Sequence, residues 1–153
     1  MAGAKISITY DASTAIAGLD YVAGRLDSDG RKLLLSHVGE YMLGSTRDRA
    51  ETQRGPDGQR WAPLSPRYAR RKAKRRPGLP ILRYDGNMLG AWLAWQLIDD
   101  IAVDIGTGAK YGARQLFGGG GVPPRVWLGT SPADDEEIVH IARDHLVAGM
   151  PES

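Results

Sequence analysis

Cysteine is missing from this chain of 153 residues. Without a thiol there is no disulfide framework, no thiolate zinc site and no cysteine nucleophile. No apolar run approaches the roughly 18 residues that a membrane-spanning helix needs. The N-terminal segment carries Lys5 but lacks the apolar run that follows the basic residue in a signal peptide. We therefore expect a soluble protein that is made in the cytoplasm and has no membrane partner.

Motifs of catalysis and of nucleotide binding are also missing. The glycines of residues 106–112 lack the spacing of a dinucleotide loop and the Gly-Lys-Ser/Thr ending of a phosphate loop. Ser131 has no flanking glycines, so it is not the serine of a nucleophile elbow. His140 and His145 are five positions apart and lie on different faces of a helix, so their spacing does not indicate a metal site. We therefore expect a non-enzymatic protein with no cofactor.

The composition is that of an ordinary globular chain, with 42% hydrophobic and 25% charged residues. Its length fits one domain over residues 1–153. We divide that domain into an N-terminal strand with helices (1–54), a turn with a basic segment (55–80), a hairpin with loops (81–130) and a C-terminal helix (131–149). Many of the twenty glycines lie in the loops between these parts.

Hydrophobic periodicity predicts the elements of the N-terminal part. Residues 5–10 alternate between apolar and polar side chains, which is typical of a half-buried strand. Residues 13–26 carry apolar side chains at the spacing of one helical face. A longer helix is predicted from about residue 29 to Gly55. Because its last turns are strongly polar, we expect this helix to be packed at its start and solvated at its end, as a protruding arm.

The second half of the chain predicts a small sheet and two further helices. Residues 92–98 and 101–105 are two strands joined at Asp99-Asp100, which is the pattern of a hairpin. A short helix is expected within residues 110–117, and Ser131-Pro132 begins a last helix over residues 132–147. The predicted class is α+β: a small antiparallel sheet with a central β-hairpin, packed against two or three helices, with a protruding helical and basic segment.

The most distinctive stretch follows Ser65-Pro66, which has the N-cap serine and first-turn proline of a helix start. Seven of its next ten residues are basic and none is acidic: Arg67, Arg70, Arg71, Lys72, Lys74, Arg75 and Arg76. Three interpretations are open at this point. The cations bind nucleic-acid phosphate, contact a neighbouring subunit, or form a solvated face.

A net charge of +2 hides a strong asymmetry along the chain. Residues 47–83 contain twelve basic and three acidic residues, a balance of +9, whereas residues 134–153 contain six acids and one arginine, a balance of −5. Such a distribution favours either an acidic partner or head-to-tail packing of copies.

Large aromatic side chains are few and are predicted to be core or interface anchors, because each buries a large area. These residues are Trp61, Trp92, Trp95, Tyr111, Phe117 and Trp127. Trp92 is at an even position and Trp95 at an odd position of one predicted strand, so their side chains point to opposite faces. We therefore expect both faces of the strand to be covered, one of them by another subunit.

Several short motifs, taken in order, resemble the virion morphogenesis (tail-completion) family of tailed bacteriophages, Mu-type relatives included. The motifs run from about residue 47 to residue 146 and are Pro56-Asp57-Gly58, residues 61–65, Ile81-Leu82, Gly86 with Leu89, Gly106-Thr107, residues 111–113, Phe117-Gly118, residues 123–125, Leu128-Gly129 and Ser131. The resemblance implies a non-enzymatic structural protein at the neck or tail end of the virion, which acts when the tail and the DNA-filled head are joined. It also implies a homo-oligomeric ring of six-fold symmetry.

The partners that the resemblance implies are further copies of the chain, other neck, connector or tail-tube proteins, and packaged DNA. The alternative, which depends on the basic segment by itself, is a stand-alone nucleic-acid-binding protein. That alternative predicts salt-sensitive binding of nucleic acid by the isolated monomer.

Overall fold

The computed structural model describes residues 13–150, and that part of the chain forms five α-helices, a two-stranded sheet and one π-helical turn. In order these are α1 (Ser13–Arg25), α2 (Ser28–Thr52), α3 (Pro66–Arg75), the π-helical turn (Asn87–Ala91), β1 (Leu93–Ile98), β2 (Ala102–Thr107), α4 (Gly112–Phe117) and α5 (Pro132–Val147). The predicted α+β class, the hairpin and the helices within this range are confirmed. The strand predicted at residues 5–10 lies outside the described residues.

The β-hairpin pairs β1 with β2 in antiparallel register, with Trp95 opposite Ile105 and Leu97 opposite Val103. Asp99 turns the chain with a φ of 52°. Two predicted strand residues lie outside the ladder. Trp92 has a near-helical backbone and its N–H bonds to the carbonyl of Asn87, so it closes the π-helical turn instead of starting β1. Ile101 belongs to the turn and is 75% exposed.

The core lies where α2, the hairpin and the π-helical turn meet. Its buried residues are Ala50, Trp61, Met88, Leu89, Leu93, Ala109 and Trp127. Each buried indole donates to a backbone carbonyl: Trp61 Nε1 to Val126 O at 2.9 Å, and Trp127 Nε1 to Gly112 O at 3.1 Å. Both tryptophans therefore bury their rings without leaving an N–H unpaired, and they fix two loops on the core.

The expectation that α2 is packed at its start and solvated at its end is wrong. Its buried residues are Gly39, Met42, Thr46 and Ala50, whereas Leu33 in its early turns is 45% exposed. The polar composition of the later turns suggested solvent exposure, but the side chains of two arginines there point into the protein. Arg47 donates to the carbonyl of Gly90 at 3.2 Å, and Arg49 donates to that of Gly129 at 2.8 Å. The end of α2 is thus a central support of the fold and not a protruding arm.

Within residues 13–150, no helix is long and apolar enough to cross a bilayer.

Candidate functional site: the basic helix and its cleft

The basic segment forms α3, which begins as the sequence predicts. Ser65 is the N-cap, and its hydroxyl accepts from the backbone N–H of Tyr68 at 3.4 Å, while Pro66 occupies the first turn. Basic side chains in the last turn interact favourably with the negative end of the helix dipole. Six of the seven cations in the segment are exposed: Arg67, Arg70, Arg71, Lys74, Arg75 and Arg76.

Lys72 is the exception, because it is 5% exposed and points into the protein. Its ammonium donates to the backbone carbonyl of Pro80 in the loop that follows α3. Burial lowers the pKa of Lys72. The sequence places Lys72 in a run of seven cations without marking it as different, so its inward position could not be predicted from charge alone.

A cleft of about 450 Å³ lies beside α3. Its walls combine apolar side chains, three tyrosines and several cations: Leu64, Ser65, Tyr68, Lys72, Leu82, Arg83, Tyr84, Asp85, Tyr111, Gln115, Gly121, Val122, Pro123 and Arg125. Asp85 is the one acid among the described residues that line it. The cleft is therefore electropositive with partly apolar walls.

Two tyrosines of the cleft carry arginines over their rings. The guanidinium of Arg71 lies 5.0 Å from the ring centroid of Tyr68, and that of Arg76 lies 5.7 Å from the centroid of Tyr84. These distances are typical of cation–π contacts. The contacts hold two exposed arginines at the edge of the cleft. Burial raises the pKa of the third tyrosine, Tyr111, and the negative charge of Asp85 raises it further.

Arg125 is a second buried cation of the cleft and is 3% exposed. Its guanidinium donates to the carbonyl of Ala62 at 2.7 Å, to that of Pro63 at 2.9 Å and to Oε1 of Gln115 at 3.0 Å. Burial lowers the pKa of Arg125. Its three acceptors are all neutral, so the positive charge is hydrogen-bonded but not neutralised. The sequence marked this residue only as part of the Pro123-Pro124-Arg125 motif.

The glycines of residues 118–121 form a compact turn that borders the cleft. All four have positive φ values, which favours glycine at each position. Arg114 of α4 donates to the carbonyls of Gly119 at 3.1 Å and Gly120 at 3.0 Å. A glycine-rich loop thereby positions Gly121 and Val122 at the cleft.

The aromatic residues singled out from the sequence are distributed among three environments. Trp61 and Trp127 are in the core, whereas Tyr111 lines the cleft. Trp95 is half-buried, and its indole donates to Glu40 Oε1 at 2.8 Å. Trp92 is 46% exposed and Phe117 is 78% exposed. For these last two residues, a role as contacts to another subunit stays a prediction.

A buried polar cluster joins α5 to α2 and was not predicted. Asp134 is 2% exposed and forms a salt bridge with Arg49. It also accepts from Tyr41 at 3.0 Å, from Ser45, and from the backbone N–H of Ser131 at 2.7 Å. Burial acts to raise the pKa of Asp134, but the hydrogen bonds from the two serines and Tyr41 outweigh it, so that the pKa falls to about 2. The Ser131-Pro132 helix start was predicted from the sequence, but the capping box between Ser131 and Asp134 and the partner of Asp134 on α2 were not.

The acids that follow Asp134 have a different environment. Asp135, Glu136 and Glu137 are exposed on the first turns of α5. The salt bridges of the described chain join Arg31 to Asp100, Arg49 to Asp134 and Arg83 to Glu51. Within residues 13–150, therefore, none of them uses a cation of α3. The described residues also contain no cluster of histidines and carboxylates that could hold a metal ion.

Comparison with known proteins gives one match. The model of the phage virion morphogenesis family matches residues 14–147, a range that runs from α1 to the end of α5 and includes α3 and its cleft. No curated protein and no solved structure matches significantly. Proteins of this family are generally structural, and the family implies association with the virion. The resemblance inferred from the sequence motifs is confirmed, and the chain belongs to the phage virion morphogenesis family.

Proposed function

We propose that the protein is a non-enzymatic structural component of the phage neck or tail end, which assembles as a ring and supports the joining of tail to head. The observation that carries this proposal is the family match over residues 14–147. The family match implies a general role in morphogenesis. Within that role, we assign ring assembly and head–tail joining to this protein.

The distribution of charge supports assembly through unlike surfaces. The exposed cations lie on α3, the exposed acids of residues 135–137 lie on α5, and no described salt bridge joins the two helices within one chain. Contacts between different surfaces of identical subunits are heterologous, and they produce a closed ring when the rotation between copies closes. Opposite charges on separate elements give such a contact electrostatic complementarity.

In this proposal α3 faces either the channel through which DNA passes or an adjacent component of the head–tail junction. Five exposed cations on α3 and a sixth, Arg76, at its C-cap give a high local positive potential. DNA phosphates and an acidic protein surface are both attracted to such a potential.

Charge reversal on α3 tests the proposal. The variant changes Arg70, Arg71, Lys74 and Arg75 to glutamate, and it should keep its fold because all four side chains are exposed. In a phage that lacks the natural gene, we expect this variant to restore no infectious particles, with separate heads and tails visible by electron microscopy. A control reverses three exposed cations outside α3 and α5, Lys32, Arg60 and Lys110, and should restore infectivity. A normal titre from the α3 variant would contradict the proposal.

A second function, stand-alone binding of nucleic acid, is favoured by one observation. Arg71 and Arg76 lie over tyrosine rings, so cations and aromatic faces occur together at the cleft, as at many single-strand-binding surfaces. This function predicts that the monomer binds an oligonucleotide and that log K falls linearly with log salt concentration. Binding that requires the assembled protein would instead support the structural role.

A further inference from the structure

The cleft beside α3 contains two buried positive charges that no described carboxylate neutralises. Lys72 is 5% exposed and Arg125 is 3% exposed, and every hydrogen-bond acceptor described for them is a neutral oxygen. Buried charges in proteins are usually paired with an opposite charge, because burial removes the solvation that stabilises them. A pair of buried, unneutralised cations in an open cleft therefore indicates a site for an anionic group from outside the chain.

The shape of the cleft favours a protein side chain over a DNA duplex. Its volume of about 450 Å³ is that of a small pocket, and apolar walls from Leu64, Leu82 and Val122 surround the cations. The phosphates of a duplex lie on the outside of a wide, stiff rod and are best bound by exposed cations such as those of α3. A carboxylate with an apolar neighbour matches both the charge and the walls of the cleft.

The first turns of α5 present this combination. Asp135 and Glu136 are exposed, and Val139 is 57% exposed although it is apolar. Val139 follows Asp135 by four residues and Glu136 by three, so the three side chains share one exposed face of the helix. Asp134, beside them, fixes this end of α5 on α2 through its salt bridge with Arg49. The face is thus held rigidly.

We propose that the cleft beside α3 in one copy of the protein binds the Asp135, Glu136 and Val139 face of α5 in the next copy. This inference rests on the proposed function, because it supplies the heterologous contact from which a ring would be built. The carboxylates approach Lys72 and Arg125 at the floor of the cleft, Val139 packs on its apolar wall, and the exposed arginines at the edge strengthen the attraction. The cleft and the α5 face are different surfaces, and each copy carries both of them. The contact can therefore repeat from copy to copy.

Sedimentation equilibrium of the full chain tests the contact, with circular dichroism as a check of folding. Two variants remove its charges, Asp135→Asn with Glu136→Gln on α5, and Lys72→Met in the cleft, where methionine keeps the apolar stem. We expect each to weaken self-association by about 10-fold or more. Their combination should weaken it by less than the product of the two effects, because the groups interact directly. The controls are Asp20→Asn with Asp104→Asn, and Lys32→Met, which alter exposed charges on other elements and should leave association unchanged.

Several results would overturn the inference. One is association of the α5 variant within about two-fold of the wild type, and another is a wild type that stays monomeric up to about 1 mM. A Lys72→Met variant that loses oligonucleotide binding but associates normally would show that the cleft takes phosphate.

The infectivity assay separates this inference from the proposed function. If the α5 variant associates normally while charge reversal on α3 still abolishes infectious particles, the structural role stands and the contact is wrong. If the α5 and Lys72 variants weaken association but charge reversal on α3 leaves the titre normal, the contact stands and the structural role is wrong.

Discussion

Asp134 illustrates how one buried residue joins distant parts of this chain. It lies at the start of α5 and pairs with Arg49 on α2, 85 positions away in sequence. The same carboxylate caps its own helix through Ser131, so it links local and tertiary structure. A buried carboxylate with a cation and several hydrogen-bond donors is stabilising only while all of its partners are present.

Replacement of Asp134 by asparagine should destabilise the protein by about 3 kcal/mol, because it leaves the Arg49 cation without its carboxylate. Urea unfolding at pH 7 measures the change. Asp104→Asn is a suitable control, since its carboxylate is exposed on β2, and we expect a change below about 0.5 kcal/mol. Equal stability of the two variants would show that the buried pair contributes little.

The pH dependence of stability should also report on Asp134. Its pKa is lowered from 3.8 to about 2 in the folded protein, so folding favours the ionised carboxylate. The resulting stabilisation, roughly 2 kcal/mol, is fully present above about pH 4 and is lost as the pH falls through 2. The difference in unfolding free energy between the wild type and Asp134→Asn should therefore shrink between pH 5 and pH 2. A constant difference over this range would contradict the assignment.

At the scale of elements, the packing of α2 on the hairpin is the contact that organises the core. A Cβ atom on Gly39 would lie 2.6 Å from Cδ2 of Trp95, so glycine allows the indole to lie directly on the helix backbone. Gly44 on the same helix has no atom within 4 Å of the corresponding position. Gly39 and Gly44 of α2 therefore have different roles.

Alanine substitutions distinguish these roles. Gly39→Ala should destabilise the protein by about 1–3 kcal/mol, since the methyl group forces the Trp95 ring away from α2. Gly44→Ala should stabilise it by about 0.5–1 kcal/mol, because alanine is the better helix former and meets no obstacle. Thermal unfolding of the two variants measures both effects. A similar change of the same sign in both would show that the hairpin does not depend on close approach at Gly39.

Local patterns predicted the elements better than their packing. The Ser65-Pro66 and Ser131-Pro132 starts, the hairpin turn at Asp99-Asp100 and the helical periodicity of residues 13–26 depend on neighbouring residues, and the structure has all of them. The inner face at the end of α2 depends on arginines that reach carbonyls far away in sequence. Composition alone made that segment look solvated.

Dependence on residues far apart in sequence also explains why the cleft of the candidate site was not predicted. The basic run was evident from the sequence, but the cleft beside it is assembled from loops at residues 82–85 and 121–125 together with Tyr111. The positions of those loops determine that Lys72 is the one cation of the seven that turns inward, and that Arg125 lines the same cleft. No local spacing contains this information.

At the scale of the whole molecule, the charges of the chain are divided between helices that do not neutralise each other in the described structure. The basic α3 and the acidic start of α5 are complementary surfaces of one subunit, and the family to which the chain belongs assembles virions. The heterologous ring that we propose at the head–tail junction would account for both observations.

Quantitative mass spectrometry of purified infectious particles, with antibody labelling in the electron microscope, tests this account most directly. We expect the protein to be present in about six copies per particle, with the label at the junction of head and tail. Absence of the protein from mature particles, or label distributed along the tail in many more copies, would contradict a ring at the head–tail junction.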